Sequence, residues 1–89
     1  MSTILKKGVA VFKSRSQVMS FVENMNSLGA ECRLISTPKE AHLGCGVSAE
    51  FSLSQFALAK AIVGKIRYNS FYGFFLIEKR GSRTTTVRI

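Results

Sequence analysis

The sequence predicts an α+β fold, a ferredoxin-like βαββαβ two-layer sandwich with an antiparallel sheet and two helices on one face. Three observations point there. Two apolar stripes at helical spacing each follow a short strand-like run. A further apolar run follows each stripe. The first strand-helix unit recurs 38 positions later: Gly8, Val9, Ser14, Ser16 and Gln17 return as Gly46, Val47, Ser52, Ser54 and Gln55.

Gly8-Val9-Ala10-Val11-Phe12 is almost continuously apolar, as a central strand buried on both faces should be. Ser14 followed by Gln17 reads as a capping box that starts a helix. Val18, Phe21, Val22, Met25 and Leu28 form its apolar stripe. Gly29 is placed to close the helix in a left-handed conformation. Ala30 to Ser36 reads as the second strand, with Cys32 and Leu34 on one face and Glu31 and Arg33 on the other. Pro38 ends it. The third strand opens at Val47. Ser52 with Gln55 repeats the capping box, and Phe56, Ala59, Ile62, Val63 and Ile66 make the second stripe. After a turn at Tyr68-Asn69-Ser70, Phe71 to Ile77 is a strand apolar on both faces. Such a strand in a two-layer fold leaves one face needing cover, which predicts a homodimer through the open sheet face.

The 89 residues make one domain, 1–89, with a folded core over 8–78 and basic tails at 1–7 and 79–89. Within that tail, residues 84–89 are compatible with either an edge strand or a mobile end. The net charge is +8. Between Gly8 and Glu78 seven basic residues face five acidic ones, so most of the excess lies in Lys6, Lys7, Lys79, Arg80, Arg83 and Arg88. Basic ends attract polyanions in a salt-dependent way, so a nucleic-acid-binding module is an alternative. Phe71-Tyr72-Gly73-Phe74-Phe75 faintly resembles an aromatic RNA-stacking strand. It stands on the last strand rather than the third, and the basic opening residue is missing. No apolar run is long enough to span a membrane and none marks a leader, so a cytoplasmic location is expected. In that compartment the two cysteines are expected as free thiols. There is no Cys-x-x-Cys pair, no paired-carboxylate set and no phosphate-binding glycine loop. Neither a metal nor a cofactor is implied.

The candidate site is the loop Thr37 to Gly46. Cys45 stands between Gly44 and Gly46, residues that suit a backbone turn and leave the thiol uncrowded. In a βαββαβ chain this loop shares a pole with the start of the first helix and the end of the second. Lys13, Arg15, Lys39, Lys65 and Arg67 gather there, with Glu40 the one acid nearby. Cations and a helix N-terminus favour the thiolate over the thiol, whose ordinary pKa is roughly 8.5. Each neighbour also has a plainer reading. Cys45 also fits a turn filler, His42 a solvated loop residue, Glu40 a surface charge, and Cys32 a small buried hydrophobe.

Cys32 through Phe51 resembles the core of the selenium/sulfur carrier protein-like family, whose pattern is a strand, a Pro-basic-Glu segment and a Cys-Gly pair opening the next strand. Pro38, Lys39, Glu40, Cys45 and Gly46 match it in order and spacing. His42 and Leu43 depart from it, replacing small polar residues. The resemblance, over about Gly8 to Ile77, implies that Cys45 holds a persulfide or selenide equivalent and passes it on. Sulfur or selenium donor and acceptor proteins are then the partners, and the chain is a carrier rather than a stand-alone enzyme. A non-catalytic dimeric interaction subunit is the remaining alternative.

Overall fold

The structure, a computed structural model, describes residues 4–39, 41 and 46–89. The elements run β1 (Ile4–Phe12), α1 (Arg15–Ser27), β2 (Cys32–Ser36), β3 (Val47–Ser52), a 3-10 turn (Leu53–Gln55), α2 (Phe56–Ile66), β4 (Phe71–Arg80) and β5 (Arg83–Arg88). One five-stranded sheet has the order β2-β3-β1-β4-β5, and all its pairings are antiparallel. The architecture is α+β, in the order β-α-β-β-α-β-β. The four-strand βαββαβ order is therefore not matched. The difference lies in residues 83–88, which return from a two-residue turn at Gly81-Ser82 and pair with β4 from Arg80 to Phe75. Gly81 takes a positive φ of 60°, which a glycine adopts without the penalty a Cβ brings.

β1 is central because it is apolar on both faces. Val9, Val11, Ala10 and Phe12 are all fully buried. On the helix face Ala10 and Phe12 join Val18, Phe21 and Met25 of α1, Ala59 and Ile62 of α2, and Ala49, Phe51 and Phe74 of the sheet. Phe12 is the hub, with ring centroids 5.4 Å from Phe21, 5.2 Å from Tyr68 and 5.3 Å from Phe71. On the opposite face Val9, Val11 and Phe75 pack with Ala41, and Ile35, Tyr72 and Ile77 lie around them. Ala41 comes from the β2–β3 connection, so that connection supplies cover to the sheet. On the apolar face where self-association was expected, Val9, Val11 and Phe75 are thus buried within the single chain, while Ile35, Tyr72 and Ile77 are half-buried.

Tyr72 reaches this face through a bulge. Val11 pairs with Gly73, but Phe12 pairs with Phe71, and Tyr72 is the extra residue between. Thus Phe71 stays in the aromatic core while Tyr72 stacks on Phe75 from the other side, at 6.0 Å and 20°.

Local sequence signals are met unevenly. Gly29, at φ 87°, closes α1 as expected. Gly29 N–H donates to Asn26 O and Ala30 N–H to Met25 O, the paired bonds of a Schellman motif. Neither expected capping box forms. Ser14 is the N-cap of α1 without a side-chain cap bond, and Ser52 precedes a 3-10 turn, so α2 starts only at Phe56. The hydroxyls find each other instead: Ser14 with Ser16 at 2.9 Å and Ser52 with Ser54 at 3.0 Å. The 38-residue repeat is thus kept in its serine pairs and lost at its glutamines. Leu28 and Ile66, read as the last members of the two stripes, are 61% and 46% exposed, because each helix runs past the layer it covers.

Gly8 sits where β1 passes beneath Phe51. A Cβ there would lie 2.5 Å from Phe51 Cε2 and 2.8 Å from Cζ. The ring is 2% exposed and enclosed by other aromatics, so it has nowhere to move. Gly8→Ala should therefore destabilise the fold by about 1–3 kcal/mol, as overpacking does; chemical denaturation against wild type measures it.

Candidate functional site

The β2–β3 connection leaves the sheet between Ser36 and Val47. Its base is closed by Thr37 N–H donating to Gly46 O at 3.1 Å. The Thr37 and Ser48 hydroxyls meet at 2.7 Å, which satisfies Ser48, the buried polar side chain under the connection. Ala41 N–H donates to Pro38 O at 3.0 Å, and that turn sets the Ala41 methyl, 2% exposed, onto Val9 and Val11. Gly46 has φ 94° with open space around its Cα, so its backbone conformation, rather than crowding, is what favours glycine. Pro38 is half-buried, and Lys39 and Gly46 are exposed. Glu40, His42, Leu43, Gly44 and Cys45 lie outside the described residues.

The pole around this connection is built by a polar latch. Gln17, in the first turn of α1, reaches across to the turn before β4. Its Oε1 accepts from Ser70 N–H at 3.0 Å and from Ser70 Oγ at 2.6 Å, and its Nε2 donates to Asn69 Oδ1 at 2.6 Å. From the other side Lys13 N–H donates to Ser70 O and Ser14 N–H to Ser70 Oγ. This is why Gln17 does not reach back to cap its own helix: its oxygen is already committed to Ser70. The latch ties the β1–α1 corner to the segment that follows Arg67. Arg67 itself ends α2 with a left-handed φ of 59°, its N–H donating to Val63 O.

Lys13 and Arg15 flank the N-cap and are exposed, as are Lys65 and Arg67 across the latch. The β1–β3 pairing, Ala10 with Ala49, brings the end of β1 and the start of β3 to this same pole. The ion pairs among the described residues are Arg33 with Glu50 and Arg80 with Glu78. None of Lys13, Arg15, Lys39, Lys65 and Arg67 is paired with a described acid. The structure brings Lys13 and Arg15 together with the α2 end; for Lys39 it gives the loop and its exposure.

Cys32 is the described cysteine, and its setting is that of a core residue. It is 8% exposed, faces the helix layer and has its N–H bonded to Asn26 Oδ1 at 3.0 Å. Burial pushes its thiol from an ordinary 9.0 up to about 11, a backbone hydrogen bond from Arg33 opposes this, and Glu50 adds to it. Such a thiol is almost wholly protonated at neutral pH and is a poor nucleophile. A cleft of about 480 Å³ opens beside it, bridged by the Arg33–Glu50 pair at 2.9 Å and flanked by Lys7. The described residues contain no cluster of three or more metal-ligating side chains. None of their helices is long and apolar enough to cross a membrane.

Sequence reasoning assigned Gln17 to a capping box and missed its bonds to Ser70, and it missed Ala41 altogether. Gln17 was visible as a polar residue in a helix start, but its partner lies more than fifty positions away. Ala41 carries no chemical signal at all; only its burial shows its role.

A family model described as "Putative Se/S carrier protein-like" matches residues 7–72, about three quarters of the chain. No curated protein and no solved structure matches the chain.

Two outcomes test this geometry. Gln17→Ala removes three hydrogen bonds and leaves Ser70 N–H without its partner, so stability should fall by about 1–3 kcal/mol, read by chemical denaturation. In a Cys45→Ser variant, alkylation of Cys32 should be slow at neutral pH and rise only as the pH approaches about 11. The folded state holds this proton more tightly than the unfolded chain. Its contribution to stability is therefore full below 9.0 and is lost as pH rises from 9.0 towards about 11. Cys32→Ala should lack that part of the alkaline decline.

Proposed function

We propose that this chain, which belongs to the Se/S carrier protein-like family, is a thiol carrier that holds sulfur or selenium on Cys45 for transfer to a partner protein. The carrying observation is the state of the other cysteine. The chain has two cysteines, and Cys32 is buried with its thiol pushed up to about 11. That leaves Cys45, within the matched span 7–72, for nucleophilic work.

For sulfur, the Cys45 thiolate attacks the terminal sulfur of a donor persulfide. A bond forms from Cys45 Sγ to that sulfur, and the donor's S–S bond breaks, releasing the donor thiolate. An acceptor nucleophile then attacks the same outer sulfur, and Cys45 leaves as the thiolate. The carrier itself is unchanged over the cycle. The chemistry needs an accessible, ionised thiol and gains from nearby cations. Lys13, Arg15, Lys39 and Gly46 belong to the segments that bound the loop, and Pro38 turns its first half. Glu40, His42 and Gly44 are carried over from the sequence as loop residues supporting Cys45. Partners are donor and acceptor proteins; no cofactor is required. A four-stranded ferredoxin-like core, with β5 appended, is the frame we assign to this family member.

Intact-mass analysis after incubation with a cysteine desulfurase and free cysteine tests the reading. Wild type and Cys32→Ala should gain one sulfur atom, removable by thiol reductant, and Cys45→Ser should gain none. Equal loading of Cys45→Ser, or loss of loading in a folded Cys32→Ala, overturns it.

A further inference from the structure

The six cations outside the central span do not sit in two loose tails. Lys6 and Lys7 lie in β1, Lys79 and Arg80 in β4, and Arg83 and Arg88 in β5, three adjacent strands of one sheet. Their register sorts them by face. Lys7 pairs with Ile77 and Lys79 with Leu5 and Thr84, all on the face away from the helices. Arg88, opposite Phe75, is on that face too. Lys6, Arg80 and Arg83 point to the other side.

Within β1, β4 and β5 acid stands on one face alone; the open face meets acid beside Lys7, where Glu31 and the Arg33-paired Glu50 line the same cleft. Glu78 lies on the helix side, directly opposite Lys6 and ion-paired with Arg80. On the open face of these strands, none of Lys7, Lys79 and Arg88 is ion-paired with a described acid. All three are exposed. Arg88 is also held in place: its Nη2 donates to Tyr72 O at 2.6 Å and its guanidinium lies 4.6 Å from the Tyr72 ring centre. Gly73 leaves the room for it, since a Cβ there would lie 2.9 Å from Arg88 Nε. Along β5 the open face reads Thr84, Thr86, Arg88, a row of hydrogen-bond donors about 6.7 Å apart.

We propose that this open face of β1, β4 and β5 binds the phosphodiester backbone of a nucleic acid, without sequence preference. Lys7, Lys79 and Arg88 neutralise phosphates, and the threonine hydroxyls donate to phosphate oxygens. A regular row of donors along β5, with the nearest open-face carboxylate, Glu50 on β3, already paired with Arg33, matches a polymer of repeating charge. A protein partner would instead need apolar anchors in a pocket. The Tyr72 ring is occupied by Arg88, so base stacking is not offered and the interaction is electrostatic. This surface is independent of Cys45.

Fluorescence anisotropy with labelled oligo-uridine, oligo-thymidine and a DNA duplex, over a range of salt, tests the assignment. With three phosphates neutralised, the log-affinity slope against log salt should be about −2 on single strands. Lys7→Gln/Lys79→Gln should weaken binding at least about 10-fold and flatten that slope by about 1.4. Lys6→Gln/Arg83→Gln removes the same charge from the helix side and should change affinity less than about 3-fold. Unchanged circular dichroism establishes that each variant is folded. Absence of salt-dependent binding overturns the proposal, and so does equal weakening by both double variants. Tighter binding of poly-glutamate than of an oligonucleotide of equal charge would reassign the face to an acidic protein and also overturn it.

Discussion

The burial of β1 on both faces is the constraint on which the rest of this molecule depends. A strand with Val9, Ala10, Val11 and Phe12 fully enclosed must be paired on both edges and covered on both sides. Pairing comes from β3 and β4, and the helices cover one side through Phe12 and its aromatic neighbours. The other side has no helix, so the β2–β3 connection lays Ala41 on Val9 and Val11. The candidate loop is therefore part of the sheet's cover as well as the carrier of its cysteine. An insertion before Ala41 would disturb packing and loop together.

The two ends of the sheet divide the chemistry. At one pole the Gln17–Ser70 latch fixes the α1 start against the turn after α2, and exposed cations stand around it. At the other end three strands run past the helices and carry cations in register. The chain thus keeps its positive charge in two separate places, one around the latch and one on an ordered sheet surface. Cys32 lies in the helix-facing layer, and the same desolvation that packs it well holds its thiol in the protonated form at neutral pH.

Much of the fold is legible from local pattern. The two helical stripes, the Gly29 stop and the buried run of β1 are written in residues that are neighbours along the chain or on one helix face. The family resemblance was legible too, because Pro38, Cys45 and Gly46 are close in sequence. The capping boxes misled because Gln17 had a stronger long-range partner in Ser70, whose N–H and hydroxyl both donate to it. The cover that the two-sided apolar strand needs comes in part from Ala41, and nothing about Ala41 in the sequence announces that it folds back.

By itself the sequence determined both helices and four of the five strands, which strand is central, and that one of two cysteines stands between two glycines. These follow from periodicity and from residue-specific backbone freedom, both short-range properties. Only the tertiary structure decided that residues 83–88 form a fifth strand, that six cations sort onto opposite faces, and that burial pushes the Cys32 thiol up to about 11. Those outcomes depend on register and on burial. Both arise from contacts between residues far apart in the chain, whose free energy no single segment contains.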